Sequence, residues 1–290
     1  MVDVKPLKVQ NLDVNQVLGT VSGVRIREQG GLGSAFDFSL NGFTGKQVKF
    51  FLDGVPMDNF GTSLSLNNIP VNMISGIEVY KGVVPVHLGA DALGGAVNVT
   101  TDQNVSNFIN ASYSIGSFNT HRASLLARYT EAKTGLTFNA NLFYNYSDNN
   151  FRMRGVEVPR PYGSGKVDTV DVDRFHDAYV SKTAQLEIGV VNKPYADRLF
   201  IGLIASGNEK EIQTGLNMQD VFGEVTTEDK VLIPTLKYVK EDLFIPGLDL
   251  RAYGMLNHRE AIRIDTSSRT YNLNGEATTG INNAGEFSYN

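Results

Sequence analysis

From Phe108 onward, apolar and polar residues alternate with a period of two. Ile109, Ala111, Tyr113 and Ile115 fall on one face, and Asn110, Ser112, Ser114 and Gly116 on the other. The next segment sets Ala123, Leu125, Ala127 and Tyr129 against Arg122, Ser124 and Arg128. A third sets Leu136, Phe138, Ala140, Leu142, Tyr144 and Tyr146 against Thr137, Asn139, Asn141, Asn145 and Ser147. Successive side chains of a strand point to opposite faces, so the pattern predicts strands with one apolar and one wet face. Weaker alternation over 186–190, 199–205, 232–239 and 248–256 brings the expectation to about seven strands, or eight with the chain end.

The first hundred residues are patterned differently. Val14, Val17, Leu18 and Val21 have helical spacing, and Val24-Arg25-Ile26-Arg27 then alternates as a strand. Phe50 to Leu52 and Ile77 to Tyr80 are short β-branched and aromatic runs bounded by Asp-Gly, Ser-Gly and Lys-Gly pairs, which predicts buried strands of one small sheet. Gly94-Gly95 precedes the extended run Ala96-Val97-Asn98-Val99; glycine there permits close backbone approach. A phosphate cradle is excluded, because that motif needs its glycines to open a helix.

Connections sharpen the reading of the second part. The segments 131–135, 192–197 and 242–247 are short, whereas 147–177, 206–230 and the chain beyond Asn257 are long and polar. Short turns alternating with long loops, and strands reaching about nine to eleven residues, fit a transmembrane barrel better than a soluble β-sandwich, whose strands average about five or six. Tyr113, Tyr129, Tyr144 and Tyr146 suit interfacial girdles.

Composition constrains the class further. The chain has no cysteine or tryptophan and a formal net charge of −5. It has no apolar run long enough for a spanning helix, which leaves a barrel open because barrel strands keep average hydropathy unremarkable. No basic excess points to nucleic acid. The N-terminus lacks a charged-then-apolar leader pattern and the end lacks a clear terminal strand, so the sequence reads as a fragment cut at both ends.

Phe51-Leu52-Asp53-Gly54-Val55-Pro56, Ile69-Pro70, Ile77-Glu78-Val79-Tyr80-Lys81-Gly82, Gly89 and Gly94-Gly95-Ala96-Val97-Asn98-Val99 follow in order within Phe50 to Thr101. This stretch closely resembles the plug domain of TonB-dependent outer-membrane receptors; Gly30-Gly31-Leu32-Gly33 matches the family's glycine-rich segment. The resemblance implies an α+β plug over 1–103 and, over 104–290, the first antiparallel strands of a truncated transmembrane β-barrel, about a third of a wall of about 22 strands. One departure is Asn41 in Phe38-Ser39-Leu40-Asn41-Gly42, where many members carry arginine, so the usual plug-to-wall lock is not expected.

What the resemblance implies about function is active import into the periplasm. A scarce, bulky ligand, a ferric siderophore before haem, cobalamin or glycans, is bound from outside and drawn in with energy supplied through the TonB complex, whose contact segment is absent here. The partners are TonB, a small molecule or chelate, and outer-membrane lipid, with plug inside barrel, short turns periplasmic and long loops extracellular. The apical plug positions matching the family's ligand-facing loops are Phe43, Met57, Asp58, Asn59, Phe60 and Asn72, whose aromatic and amide groups suit a bulky polar ligand. Ordinary turn chemistry explains the same residues equally simply.

Other chemistry is poorly represented. The four histidines, His87, His121, His176 and His258, lack ligand spacing, and three of them are expected on the outer rim. Asp168, Asp171 and Asp173 alternate in an acidic segment without the EF-hand pattern. No G-x-S-x-G elbow occurs, so no catalytic residue, cofactor or resident metal is expected and the chain is not read as an enzyme. The competing class is a secreted or surface β-rich binding or adhesion module.

Overall fold

Alternation of period two lets one face of a strand meet a core while the other stays outside, and this rule organises the whole molecule. The computed structural model describes residues 2–7, 12–60, 62, 65–66, 69, 71, 74–85, 88, 92–101, 107–159, 167–215, 218, 220–278 and 285–286.

The N-terminal body holds β1 (Val2–Asp3), α1 (Val14–Leu18), β2 (Val24–Glu28), β3 (Phe36–Leu40), β4 (Phe43–Thr44), β5 (Val48–Leu52), β6 (Val55–Pro56), β7 (Ile74–Lys81) and β8 (Gly95–Thr101). Five of these form one sheet in the order β1-β7-β8-β5-β6, so the two runs expected to share a sheet do so, joined through β8. A second sheet is β2-β3-β4. Its Asn41-Gly42 turn has φ of +50° and +90°, and Asp53-Gly54 between β5 and β6 has +53° and +79°. Paired positive φ values are what two-residue hairpins require. Gly95 sits at φ +137°, and a Cβ there would collide with the Tyr80 carbonyl and the Leu40 side chain. Val14, Val17, Leu18, Leu40, Phe60, Ile69, Ile74, Ile77 and Val97 are all at most 1 % exposed and form the core. Each such side chain stabilises the fold by about 1.5–3 kcal/mol.

The wall follows as β9 (Phe108–Gly116), β10 (Thr120–Thr130), β11 (Leu136–Ser147), β12 (Arg152–Pro159), β13 (Val167–Asp173), β14 (Tyr179–Lys193), β15 (Ala196–Glu211), β16 (Thr226–Lys240), β17 (Leu250–Met255) and β18 (His258–Ile264). An eight-stranded antiparallel sheet runs β9-β10-β11-β14-β15-β16 and ends on β17 and β18, which both pair with β16. Met255 pairs with Thr235 and His258 with Leu232, the same register, so β17 and β18 lie end to end on one line. The break falls opposite Pro234, whose carbonyl accepts from the Leu256 N–H at 3.1 Å. Proline has no N–H to return the bond.

Three expectations from the sequence change here. The chain beyond Asn257 continues as strand to Ile264 instead of leaving as a loop. The connection 147–177 carries the hairpin of β12 and β13, because Met153, Val156 and Val172 bury a small core of their own with Leu273. Strands β14, β15 and β16 also run several residues past their apolar patterns: charged ends such as Glu209 and Lys210 are still paired by the backbone ladder.

Side chains of the wall sort by face. Ser124, Leu126, Phe143, Asn145, Ser181, Thr183, Gln185, Ile204, Val231, Ile233 and Thr235 point inward and are buried, several of them in the N-terminal core. On the other face Leu186, Ile188, Ile201, Leu203, Leu232 and Leu236 are exposed. Registers arrange these outward residues in rows, Leu186 beside Leu203 beside Pro234 and Ile188 beside Ile201 beside Leu236. Two rows up from the first, toward the long connections, stand Lys182, Gly207, Lys230 and Glu260. No helix among the described residues is long and apolar enough to cross a membrane.

Candidate functional site at the seam of body and wall

Sheet geometry fixes which ends of the N-terminal strands meet the long-connection rim. Glu28 pairs with Phe36 at one end of the β2-β3 hairpin, and Val24 pairs with Leu40 at the other. The Glu28 end opens into a hollow of about 540 Å³ lined by Gln29, Gly30, Gly31, Leu32, Phe118, Thr120, Arg122, Ser147, Asn149, Phe151, Arg174 and Met218. One side is thus the glycine loop of the body, and the other is the β9-β10 turn and the start and end of the connection 148–178.

The polar groups of this hollow are positioned from below. Asp13 caps α1, accepting from the Gln16 N–H at 2.9 Å while its own N–H donates to Gln16 Oε1 at 3.1 Å. The same carboxylate faces Arg122 of β10 at 3.4 Å. Burial pushes the Asp13 carboxyl above the ordinary aspartate range, with Arg122 and the cap hydrogen bonds pulling it back. Glu28 is likewise raised, by burial first and by Asp13 second, against the pull of Arg122. Arg174 stacks 5.5 Å from the Phe151 ring centre and pairs with Asp177 at 2.9 Å; Lys210 meets Asp177 from the other side at 2.9 Å. Phe118 and Phe151 stand edge to face with centroids 6.0 Å apart.

The glycines are there for contact as much as for conformation. A Cβ on Gly31 would run into the Asn149 side-chain amide, and one on Gly33, at φ +76°, would run into the Tyr179 ring. Asn149 accepts from the Leu32 N–H at 3.0 Å and donates to the Leu32 carbonyl at 2.9 Å. Farther along the wall, Asp229 accepts from the N–H and hydroxyl of Thr62 at 2.8 and 2.6 Å, and Arg259 holds the same carboxylate at 2.8 and 2.9 Å. The body is therefore locked to the wall although Asn41 supplies no charge, and at Asp13–Arg122 the cation comes from the wall. Asn41 itself only builds a turn, its side chain lying against Gly23.

The residues expected to meet ligand are placed otherwise. Phe43 lies beyond the Asn41-Gly42 turn, at the end of the hairpin remote from the hollow, where its ring covers Gly94. The hairpin's four steps from Glu28 to Val24 amount to about 13 Å. Phe60 is 1 % exposed within the core, so its role is packing, and Met57 packs partly buried against the same core. Asp58 is exposed and pairs with Lys49 at 2.8 Å. Asn72 and the side chain of Asn59 lie outside the described residues. Turn signals mark turns but not the end of the sheet they occupy, which is why these positions and the hollow separate.

The other candidates are also resolved by position. His121 projects outward and bonds Tyr113 and Asn119; His176 faces the Val225 carbonyl at 2.8 Å; His258 lies outward on β18, and His87 is outside the described residues. Asp171 accepts from the Gly155 N–H at 2.9 Å within the β12-β13 hairpin, in which Asp168 and Asp173 also lie. Among the described residues, no group of three or more such side chains could hold a metal ion. A larger space of about 900 Å³ opens on the outward face among Ile109, Tyr129, Phe138, Leu186, Ile188 and Leu203, and belongs to the apolar band.

A small α+β body seated on the inner face of an antiparallel wall, whose outer face is apolar, defines the class of plugged β-barrel proteins. Residues 5–96 match the family described as TonB-dependent Receptor Plug Domain. The vitamin B12 transporter BtuB of Vibrio vulnificus (strain CMCP6) is 37 % identical over 90 residues, which are 31 % of this chain and 15 % of that protein. Among solved structures, the copper transporter OprC matches with a TM-score of 0.64 at 16 % identity, covering 92 % of this chain and 37 % of that one. The ferric enterobactin receptor PfeA matches at 0.62 and 15 % identity, covering 98 % and 44 %. Residues 5–96 thus match that plug family, and the chain as a whole shares the fold of these plug-and-barrel structures. It spans less than half the length of each of these relatives.

Proposed function

We propose that this chain is part of an outer-membrane transporter that takes a scarce, bulky ligand from outside and passes it to the periplasm with energy delivered through TonB. The division proposed is a plug over 1–103 and barrel strands over 104–290. The observation that carries the reading is the two-faced wall: its inward face buries the plug and its outward face exposes an apolar band. On β14 the outward positions between Lys182 and Asn192 are Ala184, Leu186, Ile188 and Val190. Those ten residue steps, tilted as barrel strands are, rise roughly 25 Å, the height of a lipid-facing band. Tyr113 and Tyr144 stand toward the long connections, and Tyr129 and Tyr238 toward the short turns, as aromatic girdles do.

On this reading the long connections face outward and the ligand enters the hollow above Gly30–Gly33. Arg122 and Arg174, with the Phe118 and Phe151 rings, suit a ligand carrying negative charge and flat apolar surface. A ferric siderophore meets that description, and the iron-chelate receptor among the structural neighbours supports it; the B12 transporter supports cobalamin as the competitor. The test is uptake by the full-length protein of labelled ferric catecholate chelate, haem, cyanocobalamin and an oligosaccharide, with TonB present or deleted. TonB-dependent uptake of the ferric chelate is expected. Surface retention independent of TonB would replace import by an adhesion or binding role.

A further inference from the structure

The hydrogen bonds that join plug and wall differ in kind. Arg122 to Asp13 and Asp229 to Thr62 involve charged groups. Others are neutral: Asn208 donates to the Thr62 hydroxyl at 3.3 Å, and the side-chain amide of Asn149 takes both backbone groups of Leu32. The Asn149 hold carries no net charge, so parting it uncovers no buried ion. It also lines the hollow.

Asn149 is built to be read from both sides. It is 2 % exposed, sits at φ +48°, and its Nδ2 donates a further bond of 2.9 Å to the Asp177 carbonyl. Asp177 is gripped by Arg174 and Lys210, so the amide links the plug loop to the ion cluster that closes the long connection. A ligand seated between Phe151, Arg174 and the 29–32 loop would lie beside both partners of this link, with its own polar groups near the Leu32 N–H and carbonyl.

Resting on the transport reading above, we infer that the Asn149–Leu32 pair is a latch: the glycine loop parts from Asn149 during import, while the two charged holds keep the plug seated until then. Asn149 is a positioning residue, acting on the ligand path through the plug backbone. An ideal Cβ on Gly31 lies 3.1 Å from the Asn149 Cβ, and this chain contains no cysteine. A disulfide, whose Cβ atoms stand about 3.5–4.5 Å apart, therefore fits with a small shift.

The experiment is the double variant Gly31→Cys with Asn149→Cys in the full-length receptor, cross-link verified by mass, with a ferric catecholate chelate as probe. At probe concentrations that saturate both forms, the oxidised variant is expected to import about tenfold more slowly or worse than the same variant reduced, with import restored by reductant. Import at the wild-type rate with the cross-link intact would overturn the latch. Wild type that binds but never imports the probe, or any other of the panel, overturns the transport reading itself, and the latch with it. Asn149→Ala keeps the proposal testable if the cross-link misfolds. Its Leu32 amide is expected to exchange hydrogen about tenfold faster than wild type in the unliganded receptor, and unchanged exchange would remove the hold.

Discussion

Asp229, on the inner face of β16, holds Thr62 of the plug through two bonds to one carboxylate oxygen, 2.8 Å from the backbone N–H and 2.6 Å from the hydroxyl. The carboxylate is nearly fully buried, and its counter-ion Arg259, close to half exposed, holds it from the wall side. Replacing Asp229 by alanine leaves the Thr62 N–H without this acceptor and is expected to weaken plug seating by about 1.5–3 kcal/mol. Limited proteolysis of the plug in the purified receptor measures this; cleavage at the wild-type rate would count against it.

Asp13 gives a pH dependence of known sign. Its carboxyl is raised by burial, so its contribution to stability is fully present below the ordinary aspartate pKa and is lost as pH rises through the raised value. Asp13→Asn keeps a good helix cap and removes the titration. The difference in stability between wild type and Asp13→Asn should therefore fall with rising pH across that window and flatten above it. A difference that rises with pH would show the Arg122 attraction outweighing burial.

Gly33→Ala meets two penalties at once, a left-handed φ of +76° and the Tyr179 ring. The backbone part alone costs roughly 1–2 kcal/mol. Thermal unfolding should show a loss larger than that, whereas Gly42→Ala, which has open space around it at φ +90°, should lose only the backbone part. Equal losses would argue against contact between the glycine loop and Tyr179.

Phe60 separates packing from ligand contact. Truncation to alanine is expected to cost about 3–5 kcal/mol of stability, the usual range for a buried phenylalanine. Probe affinity per folded receptor should stay unchanged. An affinity loss without a stability loss would return Phe60 to the ligand site.

The outward face predicts depth dependence. Leu203→Arg, at the centre of the apolar band, should cost about 2–4 kcal/mol of barrel stability in lipid, and the like change at Lys230, one charge for another, almost nothing. Heat-modifiable migration of the full-length barrel reports the folded fraction. Equal tolerance at both sites would remove the band from the membrane.

The alternation from Ile109 to Tyr146 and the ordered turn pairs of Asp53-Gly54 and Gly94-Gly95 were enough to determine strands, faces and the plug resemblance, because period and turn chemistry are local properties of the chain. Local signals also carry the helix at Val14–Leu18, which Asp13 caps. They could not say that Pro234 would interrupt a partner strand, since that depends on which residue sits opposite. Nor could they place Phe43 away from the hollow, or join Asn149 to Leu32 and Asp229 to Thr62, partners 117 and 167 positions apart. Sequence by itself decided what each segment is, through the two-residue repeat of its side chains and the φ its glycines permit. Only the tertiary structure decided which ends meet, because strand register and the seating of the plug come from packing between segments distant in the chain, and the site exists only where they meet.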